Sequence, residues 1–364
     1  MKHNSLIILL ALVLFSCAEQ PMQKRTTETE NLLASLKSMP QHGILFGHHD
    51  DPLYGIGWDF EADRSDVKSV CGDYLAVMSF DIGHIELGKA YSLDSVPFQV
   101  MKNEIVKQYE RGGMVTISWH ADNPETGGNS WDIEAPDVVA SVLEGGKNHA
   151  LFLTWLDRVA DFLLSLQTAD GTKVPVLFRP WHEHTGSWFW WGQKHCSDAE
   201  YLAMWNLTFD HLTGKGVNNA LYAYSPGTEP NTTEEYLKRY PGDDKVDLIG
   251  FDTYQFEHRE DYVHNLNKGL ALVCQIAKEH NLAVALTETG FEGIPDANWW
   301  TETLLAEVSK HPISYMVTWR NARKKEGHYY APYPGQVSAN DFVKFHADKR
   351  VLFLKESRDF GLYK

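Results

Sequence analysis

The chain has 364 residues, a formal net charge of −16, and 43% hydrophobic and 23% charged residues. This composition is typical of a folded globular protein with one large α/β domain or two ordinary ones. The negative charge, with no dense basic stretch, excludes a nucleic acid or an anionic polymer as the expected partner and favours a neutral one.

The first predicted element is an export signal. Lys2 and His3 precede the apolar run LIILLALVLF, which ends at Ser16 and Cys17. The run is too short for a transmembrane helix and has the pattern of a signal peptide over residues 1–16. The small residue before Cys17 resembles a bacterial lipobox, which implies cleavage before Cys17 and lipidation of its thiol. The alternative is a plain signal peptide in which Cys17 is incidental.

The polar residues 17–31 are predicted to form a flexible tether, and residues 32–364 one catalytic domain. We therefore expect an exported bacterial lipoprotein of the outer membrane, on its periplasmic side or at the cell surface, that contacts the membrane only through its lipid. We expect a monomer. The other cysteines, Cys71, Cys196 and Cys274, form no CxxC pair and predict neither a disulfide framework nor a structural zinc site.

Eight short apolar runs follow, and they predict eight strands. The runs are continuous rather than alternating, which is typical of parallel strands that are buried on both faces. Helical patterns separate them, for example over 152–167, 200–212 and 265–280. Eight alternations of strand and helix predict a (β/α)₈ TIM barrel, with an open doubly wound sheet as the alternative. The runs cover residues 43–47, 74–80, 114–119, 174–180, 220–226, 246–251, 282–288 and 313–319.

Polar and aromatic residues end seven of these runs, among them Asp81, His120, Asp252 and Trp319. All strands of such a barrel deliver their carboxyl ends to one rim, where active sites lie. Glu183 ends the fourth run and Glu288 the seventh, so they are predicted to face each other across the barrel mouth. Two carboxyl groups about 5 to 5.5 Å apart are what a retaining glycosidase requires.

In this interpretation Glu183 is the general acid/base and Glu288 the nucleophile. Low polarity around Glu183 would raise its pKa, and Tyr254 would hydrogen-bond to Glu288 to keep it ionised. Four consecutive aromatic residues, 188–191, would lie about half in the cleft, as sugar-stacking surface, and half in the core, with Trp188 the first candidate for the cleft. His120 and His182 are predicted to contact substrate hydroxyls, although a lone histidine is more often a core residue.

A catalytic metal is the weaker hypothesis. His48, His49, Asp50 and His120 invite it, but neither HExxH nor a strand-ending HxH occurs, and the spacing of His182 and His184 does not suit a helical ligand pair. We therefore expect no metal and no cofactor.

The segment RPWHEHTGSWFWWG at 179–192 resembles the acid/base motif of glycoside hydrolase family 26. The resemblance runs from about residue 40 onward and includes GHHD at 47–50, SWH at 118–120, IGFDTY at 249–254, LTETG at 286–290 and TWRNA at 318–322. It implies a cofactor-free, retaining β-mannanase that cleaves β-1,4-mannosidic linkages in mannan, glucomannan or galactomannan. Glu183 matches the acid/base and Glu288 the nucleophile, whereas the residues around the −1 subsite are His120, His182, Trp188, Tyr254, Trp319 and, as a looser match, Trp131.

Three alternatives stay open at this point. The same family includes β-1,3-xylanases and mixed-linkage β-glucanases, and its mannanases either cut internally or release mannobiose. The segment 81–96 after the second strand could form a wall that decides the mode of cutting. From another class, a noncatalytic glycan-binding lipoprotein would present the same aromatic cleft.

Overall fold

The computed structural model describes residues 24–364, so the predicted signal peptide, Cys17 and residues 18–23 lie outside the described residues. Eight parallel strands dominate the described part, and each coincides with one predicted run. They are β1 (Ile44–His49), β2 (Val77–Asp81), β3 (Met114–Ser118), β4 (Val176–Arg179), β5 (Ala220–Tyr224), β6 (Leu248–Gln255), β7 (Ala283–Phe291) and β8 (Tyr315–Thr318).

The strands close into a barrel. Each pairs in parallel with the next, and β8 pairs with β1, with Leu45 opposite Tyr315 and His48 opposite Thr318. A short strand, Val351–Leu352, adds to the amino-terminal end of β1, and a small hairpin joins Tyr54–Gly55 to Trp58–Asp59. The predicted (β/α)₈ barrel is therefore confirmed, and the open doubly wound sheet is wrong.

Successive side chains on each strand enter two different apolar clusters. Leu45 and Leu177 point into the barrel, whereas their neighbours Phe46 and Phe178 pack outward against the helices. Both faces of each strand are thus buried, which is why the apolar runs are continuous.

Helices surround the barrel, and those predicted over 152–167, 200–212 and 265–280 are present. A 3₁₀ turn at Met39–Gln41 and a π-helix at Trp299–Leu305 complete the set. The α-helices are α1 (Thr27–Ser38), α2 (Asp66–Cys71), α3 (Phe98–Arg111), α4 (Val138–Val142), α5 (His149–Ser165), α6 (Asp198–Gly214), α7 (Thr233–Leu237), α8 (Arg259–His280), α9 (Ala306–Val308), α10 (Ala339–His346) and α11 (Leu354–Phe360). Among the residues described, none of these helices is both long and apolar enough to span a bilayer.

The predicted tether over 17–31 is wrong from residue 27 onward, because α1 starts at Thr27. Its Thr26 side chain caps the helix by accepting a hydrogen bond from the Thr29 amide. Leu32 and Leu36 join the cluster at the amino-terminal ends of the strands, and Arg25 forms an ion pair with Asp247 at 2.6 Å. α1 therefore covers the barrel end opposite the rim that carries the predicted site.

Candidate active site

A strained turn after β4 presents Glu183. Trp181 and Glu183 both have φ of +52°, a region that non-glycine residues adopt only when the surroundings impose it. The Trp181 indole is buried and donates to Thr208 Oγ1 at 3.1 Å, while the Glu183 amide donates to the Ser225 carbonyl at 2.8 Å. These bonds hold Trp181 in the core and leave Glu183 lining the cleft.

Trp188 is the aromatic neighbour of Glu183 in the cleft. Its indole Nε1 donates to Glu183 Oε2 at 2.7 Å, and its side chain is 40% exposed. The expected position of Trp188 in the cleft thus agrees with the structure.

The other three aromatic residues of the run are buried, so the expectation that about half would line the cleft is wrong. Phe189, Trp190 and Trp191 are each at most 2% exposed. For the two tryptophans the reason is that their indole N–H groups have acceptors inside the fold: Trp190 donates to the Ala121 carbonyl at 3.0 Å and Trp191 to the His182 carbonyl at 2.8 Å.

Glu288 accepts a hydrogen bond on each carboxylate oxygen. Tyr254 donates to Oε2 at 2.5 Å, as the sequence predicted, and Arg179 donates to Oε1. A β-bulge at Thr287 shifts the register so that Glu288 lies opposite Asp252 on β6. The bulge brings the two carboxylates to the same side of the sheet, facing the rim.

Glu183, Asp252 and Glu288 form one group in which a carboxylate oxygen of each lies within 4.8 Å of the others. Glu183 and Glu288 are 105 positions apart in sequence (288 − 183) but meet at the barrel mouth. Carboxylate oxygens within 4.8 Å of each other indicate the close spacing of retaining glycosidases, roughly 5 to 5.5 Å, rather than the roughly 6.5 to 9.5 Å of inverting ones.

Arg179 is the cation of this group. It is 2% exposed, points into the barrel from the end of β4, and donates to Asp252 Oδ2 at 2.8 Å as well as to Glu288. Burial alone would lower the pKa of Arg179, but the two carboxylates raise it, so the guanidinium stays charged.

The carboxylates titrate differently. Burial, and then the charges of Asp252 and Glu288, hold the pKa of Glu183 well above its ordinary value. Burial raises the pKa of Asp252 to about 7, although Arg179 opposes the shift. Glu183 is therefore placed to carry a proton at neutral pH.

His120 is oriented by Asp81. Its Nδ1 lies 2.7 Å from Asp81 Oδ2, and its backbone amide donates to the same carboxylate at 3.2 Å. Burial works to lower the pKa of His120, but the Asp81 carboxylate outweighs it and raises the pKa. Asp81 thus fixes the ring orientation and favours its charged form.

The remaining predicted side chains surround His120. The Trp131 ring stacks on it at 5.2 Å, and the rings of His182 and Trp319 lie 4.6 and 6.0 Å away. Burial holds the pKa of His182 well below its ordinary value, so it is neutral. All eight side chains that the sequence assigned to the cleft therefore lie at one rim.

Ion pairs tie together the loops on the Trp319 side of the site. Arg320 meets Asp94 at 3.0 Å, and Arg323 donates to the carbonyls of Asp94 and Ser95 and to Asp59. Asp94 and Ser95 belong to the segment that we expected to form a wall. That segment lies beside the rim and is bonded to the loop after β8.

Within residues 24–364, two groups of side chains bring potential metal ligands close together. At each group an arginine supplies the positive charge. These groups are Glu183, Asp252 and Glu288, and His49, Asp50 and Asp94. Arg179 donates to two members of the first group and Arg320 pairs with Asp94 of the second.

Sequence reasoning gave no role to Arg179, Asp252 or Asp81. A role for Arg179 could have been predicted, because a charged residue within a buried apolar run must be paired with an opposite charge. Asp81 and Asp252 end predicted strands, but no pattern in the sequence shows that Asp81 bonds to His120 and Asp252 to Arg179.

Replacing Arg179 by methionine should strongly destabilise the protein. Two buried carboxylates would lose their only guanidinium partner in the described structure, which costs about 3–5 kcal/mol of unfolding free energy. Urea denaturation measures this. Arg64→Met is the control, because its pair with Glu61 is exposed and worth at most about 1 kcal/mol. Equal small losses in the two variants would contradict the prediction.

Comparisons with known proteins agree with this geometry. The profile of glycosyl hydrolase family 26 matches residues 22–326. A mannan endo-1,4-β-mannosidase of Bifidobacterium adolescentis is 31% identical over 360 residues, which is 92% of this chain and 36% of that protein. The chain thus spans about a third of the length of that relative, and 65% of a mannan endo-1,4-β-mannosidase of Bacillus subtilis that is 27% identical.

Solved structures resemble the whole described fold. A family 26 β-mannanase of Bacteroides ovatus is 58% identical, with a TM-score of 0.92, and the match covers 93% of this chain and 98% of that one. A double mutant of a Cellulomonas fimi endo-β-1,4-mannanase is 34% identical, with a TM-score of 0.86, over 94% and 79% of the two chains. The matched profile and these structures confirm the resemblance seen in the sequence, and the chain belongs to glycosyl hydrolase family 26.

Proposed function

We propose that the protein is a retaining β-1,4-mannanase that hydrolyses mannan, glucomannan or galactomannan. The observation that carries the proposal is the close approach of Glu183 and Glu288, whose oxygens lie within 4.8 Å at the rim of the barrel. The substrate class comes from the family 26 relatives, which are named as mannan endo-1,4-β-mannosidases.

The geometry supports a double displacement. Glu288 attacks the anomeric carbon while Glu183 donates its proton to the departing glycosidic oxygen, which forms a glycosyl ester on Glu288. Glu183, now a carboxylate, takes a proton from water as the water attacks the same carbon, and Glu288 is released. His120, His182 and Trp319 surround the sugar that is retained on the enzyme.

Arg179 and Tyr254 support the nucleophile in this scheme. Each donates to a different oxygen of Glu288, which fixes the orientation of the carboxylate. Neither donor reaches Glu183, whose hydrogen-bond donor in the structure is Trp188. The acid and the nucleophile are thus distinguished by their partners.

Purified protein should release reducing sugar from linear mannan and galactomannan but not from xylan or lichenan. Glu183→Ala should lower the rate roughly 10²- to 10⁴-fold, because it removes general acid catalysis, and Glu288→Ala should abolish turnover. The product time course separates internal cleavage, which gives a ladder, from end-directed release of mannobiose. Binding of mannan without release by the wild type would favour the glycan-binding alternative.

The two variants should also differ with an aryl β-mannobioside that carries a dinitrophenyl leaving group. This group departs without a proton, so Glu183→Ala should give a burst of phenolate and a protein whose mass has increased by the bound sugar. Glu288→Ala should give neither, because it cannot form the ester. A burst in Glu288→Ala would contradict the assignment of the nucleophile.

The pH profile tests the role of Glu183. Since the acid must be protonated, kcat/KM should fall as the pH rises through the pKa of Glu183 in the free enzyme. The charge of Asp252 raises that pKa, so Asp252→Asn should move the basic limb of the profile to lower pH. Ser225→Ala is the matched control, because Ser225 contacts the same Arg179 nitrogen but is neutral. If the basic limb for Asp252→Asn stays at the same pH as in the wild type, the effect of Asp252 on the pKa of Glu183 is refuted.

We also propose that the protein is an outer-membrane lipoprotein anchored at Cys17. The lipobox-like sequence before Cys17 supports this. Anchoring there also suits the fold, because α1 lies on the barrel end opposite the cleft. When the full chain is expressed in a bacterium, it should enter the detergent phase of Triton X-114, whereas Cys17→Ala should stay aqueous and Cys71→Ala should behave as the wild type. An aqueous wild type would overturn the proposal.

A further inference from the structure

Phe256 is the most exposed large hydrophobic residue in the described part of the chain. Its side chain is 81% exposed, whereas Trp131 and Trp188 are 48% and 40% exposed. It follows the last residue of β6 and lines a cleft of about 590 Å³ together with Glu183, Trp188 and Tyr254. Single exposed apolar side chains are common on proteins, but this one lies beside the proposed acid.

The cleft extends to one side of the bond that would be cut. It is lined by Glu183 but not by Glu288. A nucleophile contacts the sugar that stays on the enzyme, whereas the acid contacts the oxygen that links this sugar to the leaving one. His120 and Trp319, which surround the retained sugar in the proposed scheme, do not line this cleft either, whereas Trp188 and Tyr254 line it beside the bond, where they hydrogen-bond to Glu183 and Glu288. The cleft therefore leads from the bond toward the leaving sugar.

We propose that Phe256 is the stacking platform for a sugar ring on the leaving-group side. This inference rests on the proposed function. The apolar face of a pyranose can cover the phenyl ring and remove it from water, as ligand sites with aromatic walls do. Phe256 thereby contributes to the choice of which linkage along the chain is cut.

The polar residues around Phe256 fit a neutral sugar. Thr228, Glu257, Asp261 and Asn265 line the same cleft and can bond to hydroxyl groups. The carboxylates would repel an anionic polymer. The leaving-group side is therefore matched to uncharged, hydroxyl-rich chains, as the negative charge of the whole protein also favours.

The test compares Phe256→Ala, Phe256→Tyr and Val343→Ala. Val343 is the control, because it is an exposed apolar residue at 44% on the outer helix α10. Phe256→Ala should lower kcat/KM for mannopentaose roughly tenfold, which is the effect of losing about 1.4 kcal/mol. It should change kcat/KM less than twofold for an aryl β-mannobioside, which has no sugar beyond the bond. Phe256→Tyr and Val343→Ala should match the wild type on both substrates.

Hydrolysis of mannopentaose in H₂¹⁸O gives a second readout that the amount of folded enzyme does not affect. The ¹⁸O enters the new reducing end, so the masses of the labelled products show which linkage is cut. With the leaving-group platform removed, cleavage by Phe256→Ala should shift toward the reducing end, since fewer sugars are held beyond the bond. An unchanged cleavage pattern, or an equal loss on both substrates, would overturn the role of Phe256. A wild type inactive on every mannan substrate would instead refute the proposed function.

Discussion

The site depends on one buried guanidinium that reaches two of three neighbouring carboxylates. Arg179 donates to Asp252 and Glu288 but not to Glu183. Three ionised carboxylates beside one cation would leave two uncompensated charges in a region of low polarity, which is unfavourable. Protonation relieves this most readily at the carboxylate that lacks the cation. The guanidinium of Arg179 therefore distinguishes Glu183, which it does not contact, from Glu288, to which it donates a hydrogen bond.

The barrel makes this arrangement rigid. Arg179 lies at the end of β4 and its two partners lie on β6 and β7, so regular strands fix their distances. Two local irregularities then adjust the side chains: the bulge at Thr287 places Glu288 opposite Asp252, and the positive φ of Glu183 turns it toward the cleft. Strained or bulged backbone at such points persists because the surrounding elements are well packed.

The sequence predicts the regular part of this design well. Continuous apolar runs identify all eight strands, and run ends identify Glu183 and Glu288, because the barrel sends every strand end to one rim. The bonds of Arg179 could not be predicted, since they depend on register across three strands and on a one-residue bulge. The inward packing of Trp190 and Trp191 depends on carbonyl acceptors that only the folded loop supplies. The start of α1 was missed because residues 27–31 are mostly polar, and tertiary contacts of Leu32 and Leu36 order them.

The two sides of the cleft differ in a way that suits a two-step reaction. On the Trp319 side, Arg320 and Arg323 join the loops through an ion pair with Asp94 and a hydrogen bond to its carbonyl. On the Phe256 side, the side chains of Phe256, Glu257, His258 and Asp261 line the cleft and are exposed, and in the described part of the chain their one ion pair joins Glu257 to its neighbour His258. In a double displacement the sugar esterified to Glu288 stays oriented while the leaving sugar departs, and the attacking water takes the place that the leaving sugar vacates. Tight binding of the leaving sugar on the Phe256 side would slow its replacement by water. An aromatic ring that binds the sugar weakly therefore suits this side better than a network of ion pairs.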